Sequence, residues 1–131
     1  MDVVLTIGND MYSIIALQSK NWLMVFMYIS QHAPLGNIVG IISDLLKQTE
    51  VFTSVLIVGD MNWDFLEATN VMKEFLSNNN FSQMISCATH EDGGLIDHVY
   101  VRLKKDSNNS VTVAQRAKYY SDHDAIFIEI K

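Results

Sequence analysis

The chain has one cysteine, one proline and no apolar run approaching the roughly 18 residues of a membrane span. Cys87 alone cannot close an internal disulfide or supply a thiolate metal site, and it fits a reducing compartment. The start, Met1-Asp2-Val3, lacks the basic flank of a secretory signal. These absences lead to the expectation of a nuclear or cytoplasmic protein, neither secreted nor in the membrane. Apart from Pro34 and six glycines there is little to make a linker, and no internal repeat or single-sign run is present. Basic residues are also few. Nine Lys and Arg against fifteen Asp and Glu give a net charge of −6, which argues against a broad basic face that grips nucleic acid by neutralising phosphates. Carboxylates that hold a cation are counted in that total, and the bound ion reverses the local sign.

What is present is enough for one core. A chain of 131 residues, 49% hydrophobic and 18% charged, is too short for two ordinary domains, so residues 1–131 are read as a single domain or part of one. Val3 to Ile7 and Tyr12 to Leu17 are β-rich and flank Gly8-Asn9-Asp10, which predicts a hairpin. Trp22 to Tyr28 is almost wholly apolar and predicts a strand covered on both faces. Beyond Pro34, the residues Ile38, Ile41, Ile42, Leu45 and Leu46 recur at helical spacing, with an end expected near Lys47 or Gln48. Residues 54 to 58 predict a strand. Asp64 is the expected cap of a helix carrying Phe65, Met72, Phe75 and Leu76 and stopped by Asn78-Asn79-Asn80. Phe81 to Ile85 reads as a brief strand or an extended segment. Ile96 to Leu103 and Ser110 to Ala117 predict a hairpin about Lys104 to Asn109, and Ala125 to Ile130 a closing strand. Strands outnumber helices in an α/β (α+β) pattern.

Acidic and amide residues gather at the ends of these strands. Asp60 and Asn62 follow Val55-Leu56-Ile57-Val58-Gly59 and project the same way if the backbone stays extended, so both can face one phosphate or cation. The same pair also suits a turn that simply stops a strand. Asp97 follows Gly93-Gly94-Leu95-Ile96. Ser121-Asp122-His123 offers an imidazole able to take a proton near neutral pH, best when a carboxylate such as Asp97 fixes its tautomer. Asp122 has the oxygen chemistry of a magnesium ligand. Three such clusters in one short chain suit a metal-assisted phosphodiester-cleaving site.

Val58-Gly59-Asp60-Met61-Asn62, Leu95-Ile96-Asp97-His98 and Tyr120-Ser121-Asp122-His123 resemble, in order and spacing, the later motifs of the endonuclease/exonuclease/phosphatase superfamily. Gly59-Asp60-Met61-Asn62-Trp63-Asp64 and Tyr119-Tyr120-Ser121-Asp122-His123 look most like the apurinic-type endonuclease domains of LINE retrotransposons and helitron-like mobile elements. The resemblance implies a four-layer α/β/β/α sandwich of the DNase I-like kind, truncated at the amino terminus. It also implies catalysis by His123, Asp97, Asp60, Asn62 and Tyr28, with Asp122 as metal ligand and Asn62 and His123 on the phosphate. Mg2+ or Mn2+ is the implied cofactor and DNA the implied partner, with a reverse transcriptase or helicase domain in a longer parent protein.

The sequence also departs from the pattern. Ile29-Ser30-Gln31-His32-Ala33 separate Tyr28 from Pro34, where family members often have proline soon after the tyrosine. No asparagine and glutamate motif of the amino-terminal strands appears before Val3. Glu50, the first glutamate, ends a predicted helix and does not match that motif. Two alternatives to a DNA endonuclease follow: a catalytically inactive remnant acting as a binding or structural piece, and a phosphatase acting on inositol phosphates or lipids. His32 and His90 read as solvated loop residues, and His98 as a packing residue facing away from Asp97. The seven methionines read as core fillers. Trp63 either stacks on a nucleotide or closes the core under the Asp60 loop. Lys104 and Lys105 read as a solvated turn.

Overall fold

Asn9 sets the first turn: its Oδ1 accepts the N–H groups of Met11 and Tyr12, 2.8 and 3.0 Å away, and folds β1 (Asp2–Gly8) onto β2 (Tyr12–Gln18). In the computed structural model, which describes residues 1–49, 53–118 and 120–131, this hairpin forms one edge of a six-stranded sheet. Glu50 and Tyr119 lie outside the described residues. β2 continues antiparallel into β3 (Trp22–Ile29), and β3 runs parallel to β4 (Ser54–Asp60) after a crossover through helix α1 (Leu35–Thr49). Helix α2 (Val71–Asn78), the short β5 (Ser82–Gln83) and β6 (Asp97–Arg102) follow, and β6 inserts between β4 and β5.

Alternation along the strands divides the core. Ile14, Leu23, Val25, Met27, Ile29, Val55 and Ile57 pack against Ile38, Ile42 and Leu46 of α1 and Met72 and Leu76 of α2. On the other face, Trp22, Leu56, Val99 and Val101 meet Val111, Val113, Ile126 and Ile128 of a separate two-stranded sheet, β7 (Val111–Arg116) with β8 (Ala125–Ile130). Helices, six-stranded sheet and two-stranded sheet therefore stack as three consecutive layers of the α/β/β/α sandwich. No helix among the described residues is long and apolar enough to cross a membrane.

Four local expectations change. Val111–Arg116 does not pair with β6, because β4 and β5 already occupy both edges of that strand; it pairs with β8. Asp64 does not cap α2: its Oδ1 accepts the N–H groups of Leu66 and Leu95, tying a turn to the entry of β6, and Asn70 caps the helix by accepting from Lys73. β3 is covered on both faces only at its start. Phe26 and Tyr28 stay 41% and 48% exposed because the two-stranded sheet reaches only the Trp22 and Met24 end of that face. Finally, β4 runs two residues further than predicted, so Asp60 ends the strand instead of following it.

Candidate active site

Register brings the first acids together. Asp60 pairs with Asp97 across β4 and β6, and with Tyr28 across β3 and β4, giving a row of Tyr28, Asp60 and Asp97 at one end of the large sheet. Like charges directly opposite repel. Burial first, and then the Asp97 charge, raise the pKa of Asp60 above the ordinary carboxylate value, against the opposing pull of the Asn62 N–H. Gly59 permits this geometry, since a Cβ there would overlap the backbone carbonyl oxygen of Met27.

His123 arrives from the other sheet. It sits two residues before β8, and a β-bridge to His90 joins its loop to the loop that precedes β6. Asp124 N–H donates to the Thr89 carbonyl at 2.7 Å and Glu91 N–H to the Asp122 carbonyl at 2.8 Å, which closes the junction. His123 Nδ1 then lies 2.7 Å from Asp97 Oδ2 and its Nε2 lies 3.9 Å from Asp60 Oδ2. The Asp97 hydrogen bond outweighs partial burial and raises the His123 pKa above 6.5. Asp60, Asp97 and His123 thus converge, their ligand atoms within 4.8 Å of one another, beside a cleft of about 230 Å³.

The remaining predicted residues take different positions. Asn62 has φ of 54°, so the chain leaves the extended conformation before it, and its Nδ2 donates to the Ile29 carbonyl at 2.7 Å. Asp60 Oδ1 accepts the Asn62 N–H at 3.1 Å, an Asx turn that fixes the carboxylate. Tyr28 is half exposed next to Asp60. Asp122 lies on the outer side, its Oδ2 3.1 Å from His90 Nε2 and its Oδ1 3.9 Å from His123 Nε2.

His90 is the main correction. Its ring packs edge-on against His123 with centroids 4.9 Å apart, because the β-bridge sets the two residues opposite each other; it is not a solvated loop residue. His32 is exposed as expected. His98 is fully buried, and burial lowers its pKa to about 4. Its Nε2 bonds the carbonyls of Leu95 and Trp63 while Tyr100 Oη lies 2.8 Å from Nδ1, the pattern of a neutral, fully bonded ring. Trp63 packs edge-on over that ring, closing the core under the Asp60 loop. One supporting residue carried no sequence signal. Thr89 is buried, and its Oγ1 accepts the N–H groups of Ile96 and Asp97 at 3.1 and 3.0 Å, holding the start of β6 in place.

No protein-family model and no curated protein matches the chain. Solved structures do. The endonuclease domain of TRAS1, a telomere-specific non-LTR retrotransposon, superposes with a TM-score of 0.62 at 11% identity, over 97% of this chain and 66% of that domain. CdtB, the biologically active subunit of cytolethal distending toxin, gives 0.62 at 12% identity over 97% and 55%. The Haemophilus ducreyi cytolethal distending toxin gives 0.62 at 14% identity over 97% and 56%. These likenesses show the fold: the chain has a DNase I-like architecture, shared with a retrotransposon endonuclease domain and a toxin subunit. It spans between 55% and 66% of the length of these three structures.

The donor set suits a hard divalent cation. Asp60 and Asp97 face each other as two carboxylates, a cation relieves the repulsion that adds to burial in raising the Asp60 pKa, and Mg2+ is characteristically held by one or two carboxylates with water and phosphate.

Proposed function

We propose that the chain is a divalent-metal-dependent phosphodiesterase, the greater part of a DNA endonuclease domain derived from a mobile element. The observation that carries the reading is the Asp60, Asp97 and His123 cluster, formed across two sheets in a fold shared with a retrotransposon endonuclease domain. Asp60 and Asp97, with Asp122 as a third carboxylate, are the residues to hold Mg2+ or Mn2+, which supplies positive charge against the phosphate oxygens.

The protein's own groups then have separate tasks. Asp97 accepts the Nδ1–H of His123, which leaves Nε2 free to take a proton from water, and it stabilises the resulting imidazolium. Asp60, held by the Asn62 N–H, faces that Nε2 and either positions the water or protonates the leaving oxygen. Asn62 Nδ2 uses one N–H on Ile29 and has a second for a phosphate oxygen, and Tyr28 lies beside it for the same phosphate. DNA is the partner, and a reverse transcriptase or helicase domain belongs to the parent protein.

Nicking of supercoiled DNA with Mg2+ tests this. His123→Ala and Asp60→Asn should each slow cleavage by about 100-fold or more. The wild-type rate should rise with pH through a pKa above 6.5, because His123 acts in its neutral form. Equal traces of cleavage from all three proteins would mark contamination and support a non-catalytic role.

A further inference from the structure

We infer that His90, Asp122 and His123 form a zinc site, separate in its donor chemistry from the Asp60 and Asp97 pair. Each imidazole has a carboxylate oxygen beside its Nδ1. His90 Nδ1 lies 3.0 Å from Asp92 Oδ1, and His123 Nδ1 lies 2.7 Å from Asp97 Oδ2. Each ring therefore has a carboxylate behind it, and each turns Nε2 toward Asp122, at 3.1 Å for His90 and 3.9 Å for His123. A carboxylate behind a histidine is the arrangement that orients metal-binding imidazoles and raises their basicity.

Distances agree with the metal. Tetrahedral Zn2+ with bonds of about 2.0–2.1 Å to nitrogen and oxygen separates its ligand atoms by about 3.4 Å. The two separations, 3.1 Å from His90 Nε2 to Asp122 Oδ2 and 3.9 Å from His123 Nε2 to Asp122 Oδ1, involve the two oxygens of one carboxylate, and one ligand atom from each of the three residues falls within 4.8 Å of the others. Two imidazoles suit Zn2+, whereas Mg2+ takes oxygen ligands. Three protein ligands leave a fourth position for water or phosphate.

The site is also held in shape before any ion arrives. His90 and His123 face each other in a β-bridge, clamped by the Glu91 to Asp122 and Asp124 to Thr89 backbone bonds. Asp92 is fixed by the Gly94 N–H at 2.9 Å, next to Gly93 with φ of 95°. Without metal, the Asp92 N–H points at His90 Nδ1 from 3.2 Å, which places the ring proton on Nε2 toward Asp122. On ligation the ring changes tautomer: Nδ1 carries the proton and donates it as a hydrogen bond to the Asp92 carboxylate 3.0 Å away, while the Nε2 lone pair goes to the metal. The neutral ring keeps its one proton. Because His123 and Asp122 are shared, bound zinc occupies the nitrogen assigned above as the base and a carboxylate assigned above to Mg2+, so zinc opposes Mg2+-supported cleavage. That consequence rests on the nuclease reading; the binding does not.

Calorimetric titration of the full chain with ZnCl2 should show one saturable site, and Co2+ should give the intense visible absorption of four-coordinate cobalt. His90→Ala should weaken zinc at least about tenfold and remove the cobalt band, and Asp92→Asn, which acts through His90, should weaken zinc by about 10–100-fold. Far-UV circular dichroism confirms that both variants are folded. His32→Ala and Cys87→Ser should bind as the wild type does, since one histidine is exposed elsewhere and the thiol is a free surface group. Equal zinc affinity in wild type and folded His90→Ala, or a purely octahedral cobalt spectrum, overturns the site. In the nicking assay, zinc should inhibit the wild type at concentrations that fill the site and spare His90→Ala, each measured against its own zinc-free rate. A wild type that binds zinc but never nicks DNA supports the site and counts against the nuclease alone.

Discussion

The four histidines share one side-chain chemistry and end in different states. His32 is in solvent, His90 and His123 face each other in the site, and His98 is sealed in the core. His98 has a folded pKa of about 4 against 6.5 when unfolded. Its contribution to stability is therefore fully present above pH 6.5 and is lost as pH falls toward 4, because only the unfolded chain takes up the proton there. The loss amounts to about 3 kcal/mol. His123 and Asp60 have the opposite sign: their raised values favour the protonated native state, so their contributions weaken as pH rises through the folded pKa. Urea midpoints of wild type and His98→Gln between pH 7 and 4 should converge, with the wild type losing about 3 kcal/mol more than the variant across that interval. At this scale the sequence was informative where chemistry travels with a motif. Asp60, Asp97 and His123 could be singled out because each lies at or near the end of a strand-like run, Asp60 closing β4, Asp97 opening β6 and His123 preceding β8. His90 and Thr89 were not, since their importance comes from a bridge between two loops 33 positions apart.

Elements were legible where a period repeats locally. The first hairpin, α1, β4 and β8 follow directly from alternation, helical spacing and turn residues. Pairing was harder to read: nothing in Val111–Arg116 says that both edges of β6 are taken. Likewise, an apolar run such as Trp22–Ile29 states how much burial a strand suits and not how much neighbouring layers provide. Glycine makes the element scale testable. Gly59→Ala places a Cβ on the Met27 carbonyl oxygen, so β3 and β4 must separate, and it should lower stability by about 3 kcal/mol. Gly40→Ala, inside α1 with open space around its Cβ, should raise stability by about 0.5–1 kcal/mol. Thermal midpoints moving in opposite directions are the expected outcome, and equal shifts would remove the argument from close strand approach.

Over the whole molecule, three layers account for this chain, while the solved structures it resembles are longer. Ile15 and Phe26 are cross-strand neighbours on the face that the two-stranded sheet leaves open, and Tyr28 extends the same row. Replacing Phe26 with Lys should change stability by no more than about 0.5 kcal/mol and reduce binding of a hydrophobic dye. Leu23→Ala, on the covered face of the same strand, should cost about 2–5 kcal/mol. The junction at His90 and His123 has a wider consequence. Asp60 and Asp97 belong to one sheet and His123 to the approach of the other, so the spacing of these three side chains reports how the two sheets are aligned. A slip of the small ribbon by a single peptide would carry His123 out of reach of Asp97 while leaving every strand ladder intact, which makes that one contact a finer gauge of this architecture than any measure of its helices and sheets.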